Sequence, residues 1–140
     1  MKAILAILAL LFYLAAAASA QVASLAKQFQ DAIRLMADKG QYLEAAKQFE
    51  QIAKGNDRTL AAGALYYAGY CYEQLGNAMA RATYDRLIRE FKDQAEIAAK
   101  AGKRLAALES AERAALDAGK KSQRVVLSER EAAEDRKSVV

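Results

Sequence analysis

The chain has 140 residues, a formal net charge of +4, a single cysteine, and no proline, histidine or tryptophan. Its length bounds it to one domain beyond any targeting segment. The missing histidine and lone cysteine exclude Cys/His zinc sites, Ser-His-Asp triads and Cys-His pairs. Acidic and basic residues are interspersed, as on solvated helix surfaces, so nucleic acid is not an expected partner.

Lys2 supplies a positive start, Ala3 to Leu14 is an unbroken apolar run, and Ala18-Ser19-Ala20 offers the small residues that a signal peptidase reads. We read residues 1–20 as a signal peptide cleaved before Gln21. The alternative is an uncleaved anchor, but a spanning helix needs about 20 apolar residues, and Ala3 to Ala18 is shorter. No cysteine stands near the cleavage point to take a lipid. The mature protein is therefore expected to be periplasmic or secreted, with no stable membrane span.

From Gln21 onward the chain is rich in Ala, Leu, Lys, Glu and Gln, all good helix formers, and no proline breaks it. The expected class is all-α. Val22 to Lys39 reads as a first helix with Leu25, Phe29, Ala32, Ile33 and Met36 on one face, and Gly40 as a left-handed cap. Tyr42 to Lys54 is a second, with Leu43, Ala46, Phe49, Ile52 and Ala53 apolar and Gly55 as its stop. Asp57 or Thr59 caps the third, Leu60 to Leu75, which Gly76-Asn77 ends. The fourth is Ala78 to Phe91, with Ala80, Tyr84, Leu87, Ile88 and Phe91 inward. Lys92-Asp93 leads to a fifth, Gln94 to Leu116, closed by Gly119. The tail, residues 117–140, is strongly charged, either helical or disordered, and buries little alone. This divides the chain into 1–20, a helical domain 21–116, and the tail.

The helices repeat. Ala26, Ala62 and Ala95 begin equivalent first helices; Phe29, Leu65 and Ala98 follow three residues on, then Ala32, Ala68 and Ala101, and later Met36, Tyr72 and Leu105. In the second helices Ala45, Phe49 and Ile52 match Ala80, Tyr84 and Leu87. Small residues mark close approach, and aromatic or branched residues sit a turn away. Leu65-x-x-Ala68-Gly69-x-x-Tyr72 with Ala80-x-x-x-Tyr84-x-x-Leu87 resembles the tetratricopeptide repeat, a helix–turn–helix unit of about 34 residues. The likeness spans about Ala26 to Leu108. It departs from the pattern at Ile33, where a small residue is expected, so that the first pair is expected to splay. The turn after Gly76 is one residue short, and Asp57 and Lys92 stand where the family often has proline. The third unit supplies a first helix only. A generic bundle of helical hairpins would reproduce part of the pattern. The run from Tyr67 to Gly76, with Tyr84 to Phe91 after it, is also similar to envelope tetratricopeptide proteins of bacteria, of the Tol–Pal-associated cell-division coordinator type.

The resemblance implies a right-handed repeat of about two and a half units and a role as adaptor or scaffold in the bacterial cell envelope. A partner protein or peptide would lie in a concave groove built from successive first helices. The positions that match are Lys27, Gln30 and Arg34 in the first unit, Tyr66, Tyr70 and Gln74 in the second, and Lys103 in the third. Tyr66 and Tyr70 suit recognition, because tyrosine combines contact area with a polar tip, or suit packing against a neighbouring helix. The second reading is a self-associating structural subunit of an envelope complex, a homo-oligomer whose interface is the tail and the open repeat end. Cys71 is expected to be a buried thiol, the alternative being an intermolecular disulfide. Carboxylates and lysines nowhere group into a catalytic constellation, so no enzyme, cofactor or metal is expected.

Overall fold

A computed structural model describes residues 23–76 and 78–138, the last four by backbone only. The expected signal segment and Asn77 lie outside the described residues. Among the described residues the protein is helical throughout: α1 over residues 23–37, α2 at Tyr42–Ile52, α3 at Arg58–Gln74, α4 at Met79–Glu90 and α5 at Ala95–Ser138. No helix among them is long and apolar enough to cross a membrane. The chain divides into two compact units between Gly102 and Lys103.

In the first unit the turns obey local chemistry. Gly40 and Gly76 both have φ of 60°, the left-handed conformation that glycine adopts without a Cβ penalty. After Gly40 the Gln41 N–H reaches back 2.9 Å to the Leu35 carbonyl and satisfies one end group of α1. Asp57, not Thr59, caps α3, its carboxylate accepting from the Leu60 N–H at 3.0 Å. Gly55 keeps an ordinary φ, and α2 already ends at Ile52.

The core draws on all five helices. Ala32, Ala68 and Ala101 are all fully buried, as are Phe49 and Tyr84, Ala45 and Ala80, Ile52 and Leu87. α3 packs against both α2 and α4. Rings join the helices: Phe29 of α1 meets Phe49 of α2 edge-on at 5.3 Å, and Tyr67 of α3 stacks on Phe49 at 5.5 Å. Gly69 lets α4 approach closely. A Cβ there would stand 2.6 Å from Tyr84 Cε1, whereas one at Gly63 would meet Phe29 at an ordinary 3.7 Å. The phenol of Tyr84 donates to Glu73 at 3.0 Å, and that of Tyr72 to Glu50 at 2.9 Å. Each buried ring thus keeps its polar tip partnered. Burial, helped by Glu50, pushes the Tyr72 phenol up to about 12.

One long-range tie holds the start of α3 to the end of α4 and the link that follows it. Arg58, opening α3, donates from Nε to Asp93 at 2.9 Å and from Nη2 to the Glu90 carbonyl at 2.9 Å, and Nη2 also meets the second Asp93 oxygen. Its guanidinium lies 4.9 Å from the centre of the Phe91 ring. The two residues are 35 positions apart in the chain. Arg58 holds the Asp93 carboxyl well below the usual carboxylate range.

One apolar position of α2 lies outside the core, and one expected helix end is corrected. Leu43 does not join the core: it is 49% exposed and lines a shallow hollow with Tyr42 and Leu75. Gly119 does not end α5, which runs unbroken to Ser138. One glycine costs a helix about 1 kcal/mol, and the Ala-rich flanks together with Lys120 and Lys121 outweigh it. The charged tail is helical through Ser138, which settles one of the two forms considered for it.

Candidate protein-binding surface

Lys27, Gln30 and Arg34 lie three and four residues apart on α1, hence on one helical face, and all three are exposed. Tyr66, Tyr70 and Gln74 succeed one another by four on α3; both tyrosines are half-buried and Gln74 is exposed. α1 and α3 are neighbours, since Phe29 meets Tyr67 edge-on at 5.7 Å. Lys103 is exposed and belongs to the second unit. The other six belong to the first unit, three on α1 and three on α3.

Those six are not equivalent. Arg34 pairs with Asp31 at 3.7 Å and borders, with Gln48 of α2, a hollow on that flank of α1. Tyr66 is held edge-on by Tyr67 at 5.6 Å and tilted against Tyr84 at 6.1 Å. It packs within the hairpin while keeping part of its surface accessible. Packing and recognition are therefore compatible in one side chain: its ring is positioned by neighbours and its remaining surface is open to a ligand.

Sequence reasoning missed Lys100. It donates to Glu96 at 2.8 Å, one helical turn back on α5. Its pKa is raised, with the Glu96 hydrogen bond as the main cause. Glu96 in turn is lowered, first by that hydrogen bond. With Thr59, Asp93, Gln94 and Ile97 the pair lines a second hollow, beside the Arg58 tie. Lys100 is thus a cation that already carries a carboxylate partner. The Glu96–Lys100 spacing of four was the available signal.

The arrangement offers aromatic contact area, amide hydrogen bonding and a mixed rim of charge. Among the described residues no three His, Cys, Asp or Glu side chains gather as a metal-binding group. Cys71 is a buried free thiol, and burial pushes it up to about 11, so it is poorly nucleophilic at neutral pH.

No protein-family model matches the chain, and no curated protein or solved structure is similar to it.

Proposed function

We propose that this chain is an exported adaptor of the bacterial cell envelope, built from about two and a half tetratricopeptide-like repeats, which holds a partner protein or peptide against the face of α1 and α3. The observation that carries the reading is the recurrence of burial. Ala45, Phe49 and Ile52 are buried in α2, and Ala80, Tyr84 and Leu87 are buried in α4, each 35 positions later. A generic bundle has no reason to keep that offset, whereas a stack of like hairpins does. The signal-like pattern of residues 1–20 supports export.

On this reading Tyr66 and Tyr70 carry most of the affinity, and the basic residues at the rim steer an acidic or amphipathic segment in a salt-dependent way. The test is retention of a partner from envelope extract by Tyr70→Ala and by Tyr66→Ala with Tyr70→Ala, set against Arg34→Ala with Lys103→Ala. Thermal unfolding controls for Tyr66, whose ring also packs on Tyr84. The tyrosine variants should lose the partner while folded, and the basic variants should weaken it mainly at low salt. A partner retained by all of them, with the fold intact, would remove this face from consideration.

A further inference from the structure

The two hairpins differ most on one flank of the first. Glu50 of α2 accepts from the Tyr72 hydroxyl of α3. Gln48, two residues back, lies about 200° round the helix from it, on the flank turned away from α3. There Gln28 and Asp31 of α1 join Gln48 and Gln51 of α2 in lining a hollow. Asp31 and Gln48 also border an adjoining hollow, in which Leu35 is the one apolar side chain among the described residues. With Ala32 matched to Ala68 and Phe49 to Tyr84, Gln28, Asp31 and Leu35 correspond to Ala64, Tyr67 and Cys71 of α3, and Gln48 corresponds to Thr83 of α4. Ala64, Cys71 and Thr83 are buried, and Tyr67 packs on Phe29 and Phe49 of the first hairpin. The positions that seat a neighbouring hairpin in α3 are thus, on α1 and α2, mostly amides and a carboxylate.

That strip is complete without a partner. Gln28 donates to Ser24 at 3.5 Å, Gln51 accepts from Lys54 at 3.2 Å, and Asp31 lies 3.7 Å from Arg34. A hairpin laid over it would take the amides and the Asp31 carboxylate out of water, and an apolar face returns no hydrogen bond to them. Repeat arrays end in faces of this kind, polar on the outside. We infer that Gln28, Asp31, Gln48 and Gln51 make this flank a closed end, on which no second copy of the chain stacks. A homo-oligomer formed through an open repeat end would then have to use another surface. The inference rests on the hairpin likeness behind the proposed function. It is independent of the partner-binding face, to which none of these four side chains belongs.

The experiment is sedimentation of the full chain over a wide concentration range, its N-terminus fixed by intact mass. Each variant keeps that N-terminus, so association through other residues is common to all. Gln28→Leu with Asp31→Leu and Gln48→Leu opens the flank and joins it to Leu35. This variant should associate at least about tenfold more tightly than the parent, with helicity unchanged. If helicity falls, Asp31→Leu with Gln48→Leu is read in the same way. The control is Ala82→Leu with Asp85→Leu and Arg89→Leu, on an exposed face of α4, which should gain much less because nothing there is shaped to seat a hairpin. Asp31→Ala with Gln48→Ala should leave the parent's own state of association unchanged. Retention of a partner, read in parallel, should stay at the parent's level in the leucine variant, which separates this claim from that for Tyr66 and Tyr70. A leucine variant no more associated than the parent, or no more than the control, would overturn the inference. So would a parent association that weakens in the alanine variant, because a copy would then already sit on this flank.

Discussion

The α1–α2 and α3–α4 hairpins carry the same apolar pattern and bury its central ring by different means. In α4 that ring is Tyr84, laid against the backbone at Gly69 with its hydroxyl on Glu73. In α2 it is Phe49, and the position equivalent to Gly69 is Ile33, so no glycine opens the way to the helix backbone. Phe49 is nevertheless fully buried, because Phe29 meets its edge and Tyr67 stacks on it. The substitution of Ile33 therefore leaves no exposed ring, whatever splaying it introduces. The pattern requires a covered ring, and a glycine is one way to cover it while a neighbouring ring is another.

The largest effect expected from this comparison is Phe49→Ala. Removing the ring on which Phe29 and Tyr67 both pack should cost about 3–5 kcal/mol, read as a shift in the urea midpoint at unchanged slope. Phe29→Ala, at a half-buried position, should cost less. A smaller loss for Phe49 than for Phe29 would break the account of the first hairpin.

Cys71 sharpens the comparison in the second hairpin. Its thiol should resist alkylation at neutral pH in the folded chain and react once urea unfolds it. Because its pKa is raised by burial to about 11, the folded state holds the proton more tightly than the unfolded one. That stabilising contribution is complete below the ordinary thiol pKa, about 8.5, and is lost as pH rises through about 11. Cys71→Ala should flatten this part of the alkaline limb. Native alkylation at the rate of a free thiol would mean that α3 is not packed as described.

The smallest effect belongs to Asp93, which ties the two ends of the α3–α4 hairpin. Its carboxyl is depressed, so its contribution is present above the ordinary Asp pKa of about 3.9 and is lost as pH falls below that value. Both partners are about half exposed and salt-screened. Asp93→Asn should therefore give only a slight loss at neutral pH, erased by salt, with a flatter acid limb. A loss rivalling that of Phe49→Ala would shift the weight of the account from rings to charges.

The helices and their faces were legible because periodicity and two glycine turns are local signals. Gly40 and Gly76 were readable as stops because each closes a segment of helical periodicity. Gly119 misled for the opposite reason: strong helix formers flank it, and a modest local cost loses to their sum. Leu43 obeyed the period of α2 but stands in its first turn, where it borders a hollow rather than the core. The Arg58–Asp93 tie was invisible, since an exposed pair so far apart in sequence leaves no periodic trace. Each partner does stand next to one of the two positions, Asp57 and Lys92, where the resembled family often has proline. Lys100 escaped notice because the hollow it lines is shared with Thr59 on another helix. At Tyr66 the residue type allowed packing and recognition alike, and only its distances to Tyr67 and Tyr84 show that it packs.

The claim that the α3–α4 hairpin docks through Gly69 is tested most directly by comparing the thermal transitions of Gly69→Ala and Gly63→Ala. Both sites are interior to α3, so alanine brings the same helix-propensity gain of roughly 0.5–1 kcal/mol to each. The new methyl at residue 69 would fall 2.6 Å from a buried ring, and at residue 63 it would sit at 3.7 Å from Phe29. Gly69→Ala should lose about 1–3 kcal/mol, a fall of several degrees or more at roughly 4–8 °C per kcal/mol, while Gly63→Ala stays level or rises. Equal shifts, or a more stable Gly69→Ala, would contradict the close packing of Tyr84 against Gly69.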